Sequence, residues 1–350
     1  MAGRHAELPA MSTRSHRQGG PALHAALRFA VGVTGAFVAC EVLQWTPTFL
    51  APVLAAALLA NLPARPSLKI TLVLVLTMTA VSLFAFVISQ LLHDTPTLLL
   101  GLIGLCMLLA FHAMAQRRAR LPALLLLICL ATIPVVAMIA PAQVDILPTA
   151  LVRGIALALL MIWIVHVPWP RTAVPASAPQ VAADPAGPLA LALVSTAIVL
   201  PLMLVYLLLG LADALPVLVA TVMLVANFDP QRSRMHALGM VVGNIAGGML
   251  GLFVYTLVAF IPTLPFFALL LFLVLFGFGQ RIAAGGPTAV VALIACNTML
   301  IILGSALASG PGSSLLWLTR LSQFVLAGVF AVSMLNLLWH RVAPATATTR

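Results

Sequence analysis

Apolar blocks about the length of a membrane-spanning helix follow one another along this chain, separated by short polar breaks. A spanning helix needs about 20 mostly apolar residues to cross a hydrocarbon core about 30 Å thick. The apolar share is 63% of 350 residues, enough for about twelve such helices. Charged side chains make up 7%, against about 25% in a soluble domain. That combination excludes a soluble globular protein, a disordered chain and a coiled coil. A transmembrane barrel would alternate apolar and polar residues in segments of about 10, and no such alternation occurs. The sequence predicts an all-α polytopic membrane protein of about twelve transmembrane helices.

The first half carries spans near 25–44, 48–62, 68–92, 97–115, 122–140 and 148–167. The second carries spans near 188–209, 214–228, 236–260, 265–280, 286–304 and 315–339. Between them, residues 168–187 are rich in Pro and Ala and poor in large apolar side chains, as in an extended linker. The expected organisation is a cytoplasmic tail (1–24), a six-helix membrane repeat (25–167), a cytoplasmic linker (168–187), a second six-helix repeat (188–340) and a cytoplasmic tail (341–350).

The charges set the expected orientation. With the N-terminus in the cytoplasm, 15 of the 17 basic residues fall on that side, among them Arg28, Arg65, Lys69, Arg117, Arg118, Arg120 and Arg281. The opposite loops hold Asp94, Asp145 and Asp213 and no Lys or Arg. Such asymmetry follows the positive-inside rule and requires an even number of spans, so both termini are expected to be cytoplasmic. The net charge of +10 comes from basic residues scattered one to three at a time between apolar blocks. Nucleic-acid binding would cluster them on a solvated face, so no nucleic-acid partner is expected; the partner is the lipid bilayer.

The halves echo each other. Ala60-Asn61 returns as Ala226-Asn227, and FHAMAQR at 111–117 as FGFGQR at 276–281. Leu151-Val152-Arg153 returns as Leu318-Thr319-Arg320, and Trp169-Pro170-Arg171 as Trp339-His340-Arg341. The offsets run from 164 to 170 in consistent order. Two six-span halves with the same orientation are parallel repeats, a known transporter architecture.

A few residues stand apart. Arg153 and Arg320 are the basic residues outside the cytoplasmic set, each near the outer end of the sixth span of its half. Such an arginine either snorkels to the headgroups or turns its fork to a carboxylate or phosphate in a cavity. Gln323 follows Arg320 and adds hydrogen-bonding capacity. Glu41 is the acid well inside an apolar block, a candidate proton carrier or a partner of Arg153. The second and eighth spans are short, contain Pro52 and Pro216, and end at Asn61 and Asn227. Short or interrupted spans at matching places in two repeats point to a transport site. The ninth span carries Gly239, Gly243, Gly247, Gly248 and Gly251, a groove where another helix packs closely. Asn244 and Asn297 are mid-span amides able to line a pore or bond across helices. The candidate substrate-binding residues are Arg153, Arg320, Asn61, Asn227 and Gln323, with Glu41 for proton coupling.

The cysteines Cys40, Cys106, Cys129 and Cys296 lie inside apolar blocks without CxxC spacing and read as buried thiols. The histidines show no metal-ligand spacing. The chain has no phosphate-binding loop and no nucleophile motif. Metal, cofactor and enzymatic activity are not expected.

The stretch LRFAVGVTGAFVACEVLQWTPTFLAPVLAAALLANLPARPSLK from Leu27, and its echo ALPVLVATVMLVANFDPQRSRMHALGMVVGNIAGGMLG, resemble the fusaric-acid-resistance-like (FUSC) family of the aromatic acid exporter superfamily. The shared pattern is a basic residue opening the first span, a short outer turn with an aromatic, and a small-residue-rich span ending in a Pro/Arg loop. The large soluble domains of that family's bigger members have no counterpart here, so the chain is similar to a compact, membrane-only branch of unassigned function. The resemblance implies an efflux component of the bacterial inner membrane for small organic acids, aromatic carboxylic acids among them. It also implies a periplasmic membrane-fusion partner of the HlyD type. Proton-driven export of a small organic anion is the leading expectation. A membrane scaffold anchoring such a fusion protein, without transport of its own, is the alternative. Assembly as a homo-oligomer stays open.

Overall fold

A computed structural model gives the architecture. It describes residues 19–62, 64–116, 120–170, 187–209, 214–226 and 234–309, and scattered positions within 322–337. The described residues are helical, with no strand among them. In chain order the helices are α1 (Gly19–Val42), α2 (Leu50–Asn61), α3 (Leu68–Leu91), α4 (Pro96–Ala115), α5 (Arg120–Ile139), the four-residue α6 (Pro141–Val144), α7 (Ile146–Val165), α8 (Gly187–Leu209), α9 (Ala214–Ala226), α10 (Arg234–Phe260), α11 (Leu264–Ala284) and α12 (Pro287–Ser309). Apart from α6, which the hydropathy pattern does not announce, each corresponds to one of the first eleven expected spans. The span expected at 315–339 lies mostly outside the described residues.

Among the described residues, nine helices are long and apolar enough to cross a membrane. With apolar surface also facing outward, they make this a multi-pass membrane protein. Leu72, Leu76 and Leu83 of α3, Leu98, Leu105 and Leu109 of α4, and Leu269 and Leu273 of α11 are all exposed. Such surface has hydrocarbon as its natural solvent, and there only structures that satisfy their own backbone hydrogen bonds persist. Hydroxyls within the helices follow the same rule: Thr132, Thr196, Thr221 and Ser89 each donate to the carbonyl four residues back. Pro134 of α5 and Pro201 of α8 sit inside helices, which packed neighbours tolerate.

Two helices differ from the rest. α2 has 12 residues, about 18 Å at 1.5 Å per residue, well short of the bilayer core. The described part of α9 covers 13 residues. Every residue of α2 from Leu50 to Leu58 is buried, so this helix has no outward face. In α9, Val217–Val219 and Thr221–Val225 are buried likewise. A helix apolar and buried all round belongs to the centre of an assembly. α2 packs against α1, α7 and α12, and α9 against α5, α8 and α12.

Several further contacts come in pairs. α1 lies on α11, and α4 on α8. α3 lies on α5, and α10 on α12. α4 packs on α5, and α11 on α12. The tightest approach is α10 on α12, along the glycine groove. A Cβ added at Gly243 would stand 3.1 Å from the Val291 carbonyl oxygen, and one at Gly251 2.8 Å from that of Met299. A Cβ at Gly247 would collide with the Ala295 carbonyl oxygen. The groove is therefore a helix-packing surface, and α12 fills it.

Candidate functional site

The helices alternate in direction, so their polar ends gather on two sides. Asn61, Ala115, Val165, Ala226 and Ala284 end their helices on the side where Leu68, Arg120, Gly187, Arg234 and Pro287 begin the next ones. This basic end is braced by its cations. The Arg65 guanidinium stacks 3.7 Å from the Trp163 ring centroid, and Trp163 Nε1 donates to Thr71 Oγ1 at 3.1 Å. Arg28, buried near the start of α1, donates from Nη1 to the Trp169 carbonyl at 2.8 Å. These contacts tie α1, α3 and α7 to the chain that follows them.

Inside the basic end lies a cavity of about 200 Å³. Its walls are Ala57 and Asn61 of α2, Met223 and Ala226 of α9, Leu121 and Leu124 of α5, Leu293 and Asn297 of α12, and Met114 of α4. Asn61, the last residue of α2, and Ala226, the last described residue of α9, thus both line this cavity. Among its lining residues no side chain is charged. Asn61 donates from Nδ2 to the Ala57 carbonyl at 2.7 Å, so its nitrogen is engaged on its own helix. Asn297 differs. It is only 3% exposed, and neither Nδ2 nor Oδ1 has a hydrogen-bond partner. Its neighbour Thr298 points the other way and donates to Asn244 Oδ1 across the α10–α12 interface. One mid-span amide therefore bonds between helices, and the other lines the cavity.

The opposite end holds a second group. Glu41 lies near the end of α1, with one carboxylate oxygen buried and without a hydrogen-bond partner. Arg153, half-buried on α7, donates from Nε to the Thr149 carbonyl at 3.3 Å, and its guanidinium lies 5.2 Å from the Trp45 ring centroid. No ion pair joins Glu41 to Arg153 among the described residues. Thr48, buried in the turn before α2, donates to the Gly304 carbonyl at 3.3 Å. Gly304 is required by that approach, because a Cβ there would meet Phe49 Cβ at 2.8 Å.

The structure thus separates the residues singled out in the sequence. Glu41 and Arg153 share the end opposite the cavity, and Asn61 lies in the cavity wall. Arg320, Gln323 and Asn227 lie outside the described residues. Asn297 was not among the candidate substrate-binding residues, although a signal for it exists. Cys129 and Cys296 are 167 positions apart, the same offset as Arg153 and Arg320, and both thiols are fully buried. The same offset sets Asn297 against Leu130, an amide against an aliphatic side chain, and both are buried.

A family model described as "Protein of unknown function (DUF2955)" matches residues 25–165, from α1 to the end of α7. That stretch contains Glu41, Asn61, Arg153 and the α2, α4 and α5 walls of the cavity. No curated protein and no solved structure matches the chain.

Proposed function

We propose that this chain is a transporter of small organic acids, built as two parallel six-helix repeats around its two short central helices. The observation that carries the reading is the cavity walled by both α2 and α9, with the unpartnered buried amide of Asn297 in its wall. Short helices buried at matching places of two repeats are where transporter binding sites form.

The packing supports the repeats. Matching α1 with α8, α2 with α9, α3 with α10, α4 with α11 and α5 with α12 carries most of their neighbour relations into one another, whereas α9–α12, α5–α8 and α10–α11 have no counterpart. The α1–α11 contact becomes α8–α4, the α2–α12 contact becomes α9–α5, and the α3–α5 contact becomes α10–α12. Together with the four sequence echoes, this favours two copies of one unit exchanging their first, second, fourth and fifth helices across a shared centre.

The cavity volume suits a single-ring solute: a dry cavity of about 150 Å³ already holds benzene. Export and proton coupling rest on the FUSC resemblance and on Glu41. In this reading the solute enters at the basic end, past Asn61, and leaves at the end where Arg153 lies; Asn227, Arg320 and Gln323 are the further substrate-binding residues proposed for the second half. The basic end is then the cytoplasmic side of the bacterial inner membrane.

Accumulation of radiolabelled benzoate in cells tests this. Cells expressing the chain should hold less label than vector controls, and dissipating the proton gradient should remove the difference. Equal accumulation with and without the chain would end the reading for this solute. Co-purification of a periplasmic fusion protein under those conditions would favour the scaffold.

A further inference from the structure

We infer that the cavity recognises an aromatic carboxylic acid in its protonated, uncharged form, through a pair of hydrogen bonds to Asn297. The inference deepens the transport reading and rests on it in one respect: it takes this cavity as the solute site.

Three features of the site lead there. The first is the amide itself. Burying an amide without partners costs about 1–3 kcal/mol, and both polar atoms of Asn297 are in that state. An unpaired primary amide offers one donor and one acceptor side by side. A neutral carboxyl group matches that edge: its O–H donates to Oδ1, and its C=O accepts from Nδ2. A carboxylate has no proton to donate and would leave Oδ1 unpaired.

The second feature is the wall. No charged side chain stands among the lining residues. An ionised carboxylate would lose its water here and gain no counter-charge, a cost far above that of burying the neutral acid. The third is the direction of α2, which ends at the cavity with Asn61 and so brings a helix C-terminus to this region. A helix C-terminus carries partial negative charge, which repels an anion and favours a donor. Of the basic residues at this end, Arg65 is engaged on Trp163 and Arg28 on Trp169.

The test uses the purified full chain in lipid nanodiscs, with empty nanodiscs as the blank. Benzamide is the probe, because it has the shape and the donor–acceptor edge of benzoic acid and cannot ionise. At pH 7 only about one part in a thousand of a carboxylic acid with pKa near 4 is neutral. Benzamide should bind, and benzoate at pH 7 should compete at least about 100-fold more weakly. Asn297→Leu keeps the volume and removes the hydrogen bonds, so benzamide affinity should fall about 10- to 100-fold. Met114→Trp should block binding by filling the cavity from α4, with Asn297 untouched. Benzoate binding as tightly as benzamide overturns the inference, and so does benzamide binding that Asn297→Leu leaves unchanged. The benzamide–benzoate comparison needs no variant and stands even if both variants misfold. The two readings fail separately. Benzamide binding without export in cells removes transport and keeps the recognition. Export that persists in Asn297→Leu removes the recognition and keeps transport.

Discussion

The helix pairs α3–α5 and α10–α12, which the proposed repeat sets in correspondence, pack by different means. α3 turns Leu74, Met78, Ser82 and Ala85 inward, and its neighbours meet side chains. α10 turns Gly243, Gly247 and Gly251 to α12, and the two backbones approach directly. Side-chain packing can adjust when one residue changes, because rotamers move. A backbone lying on a backbone has nothing soft to yield. The difference extends one residue further along the fifth helices. Leu130 in α5 is buried among apolar groups, whereas Asn297 in α12 faces a cavity with its amide unpaired. The pair with the rigid interface also carries the unpaired buried amide, and a rigid mount is what a binding group needs to hold its geometry.

The largest effect should come from breaking the rigid mount. Gly247→Ala drives a methyl into the Ala295 carbonyl, and overpacking of this kind costs typically about 1–3 kcal/mol, more where backbone must shift. The variant should lose folded protein in detergent, read by size-exclusion chromatography. Next is Asn297→Leu, which copies the first-half arrangement into the second. It removes two unpartnered polar atoms from an apolar site, so the melting temperature should hold or rise by the equivalent of about 1–3 kcal/mol while benzamide binding is lost. A stabilised, non-binding protein would separate function from fold. Thr298→Val should follow. It takes the cross-helix bond from Asn244 and should lower stability by about 1 kcal/mol without touching the cavity wall, a change read by thermal denaturation. The smallest effect belongs to Gly101→Ala on α4, where an added Cβ meets nothing within 4 Å. Helix propensity alone should then act, raising stability by up to about 1 kcal/mol.

Much of the fold was legible because hydrophobic length is a one-dimensional signal. Blocks of about 20 apolar residues must become spanning helices whatever surrounds them, and the nine long apolar helices among the described residues were legible for that reason. The glycine ladder of α10 was legible as a packing groove because a spacing of four fixes a helix face. The site was harder to read. Asn61 showed itself by ending a short span before a basic loop. Asn297 and Asn244 looked alike in sequence, two amides in apolar spans. Which one bonds across helices and which faces empty space depends on how α12 is rotated against α10, and a helix apolar on all sides does not encode its own rotation. Arg153 and Glu41 were legible as polar groups near one membrane face. Their separation from the cavity is a property of the third dimension: a helix carries them to the end opposite the one where α2 terminates. The four-residue α6 is too short for any hydropathy pattern to mark.

The central claim is that the chain itself moves a small organic acid through the site at Asn297. Counterflow in proteoliposomes containing only this chain tests it most directly. Vesicles loaded with unlabelled benzoate should draw in labelled benzoate transiently, Asn297→Leu should abolish the overshoot, and Thr298→Val should keep it. Wild-type vesicles that show no overshoot above protein-free liposomes would contradict the account.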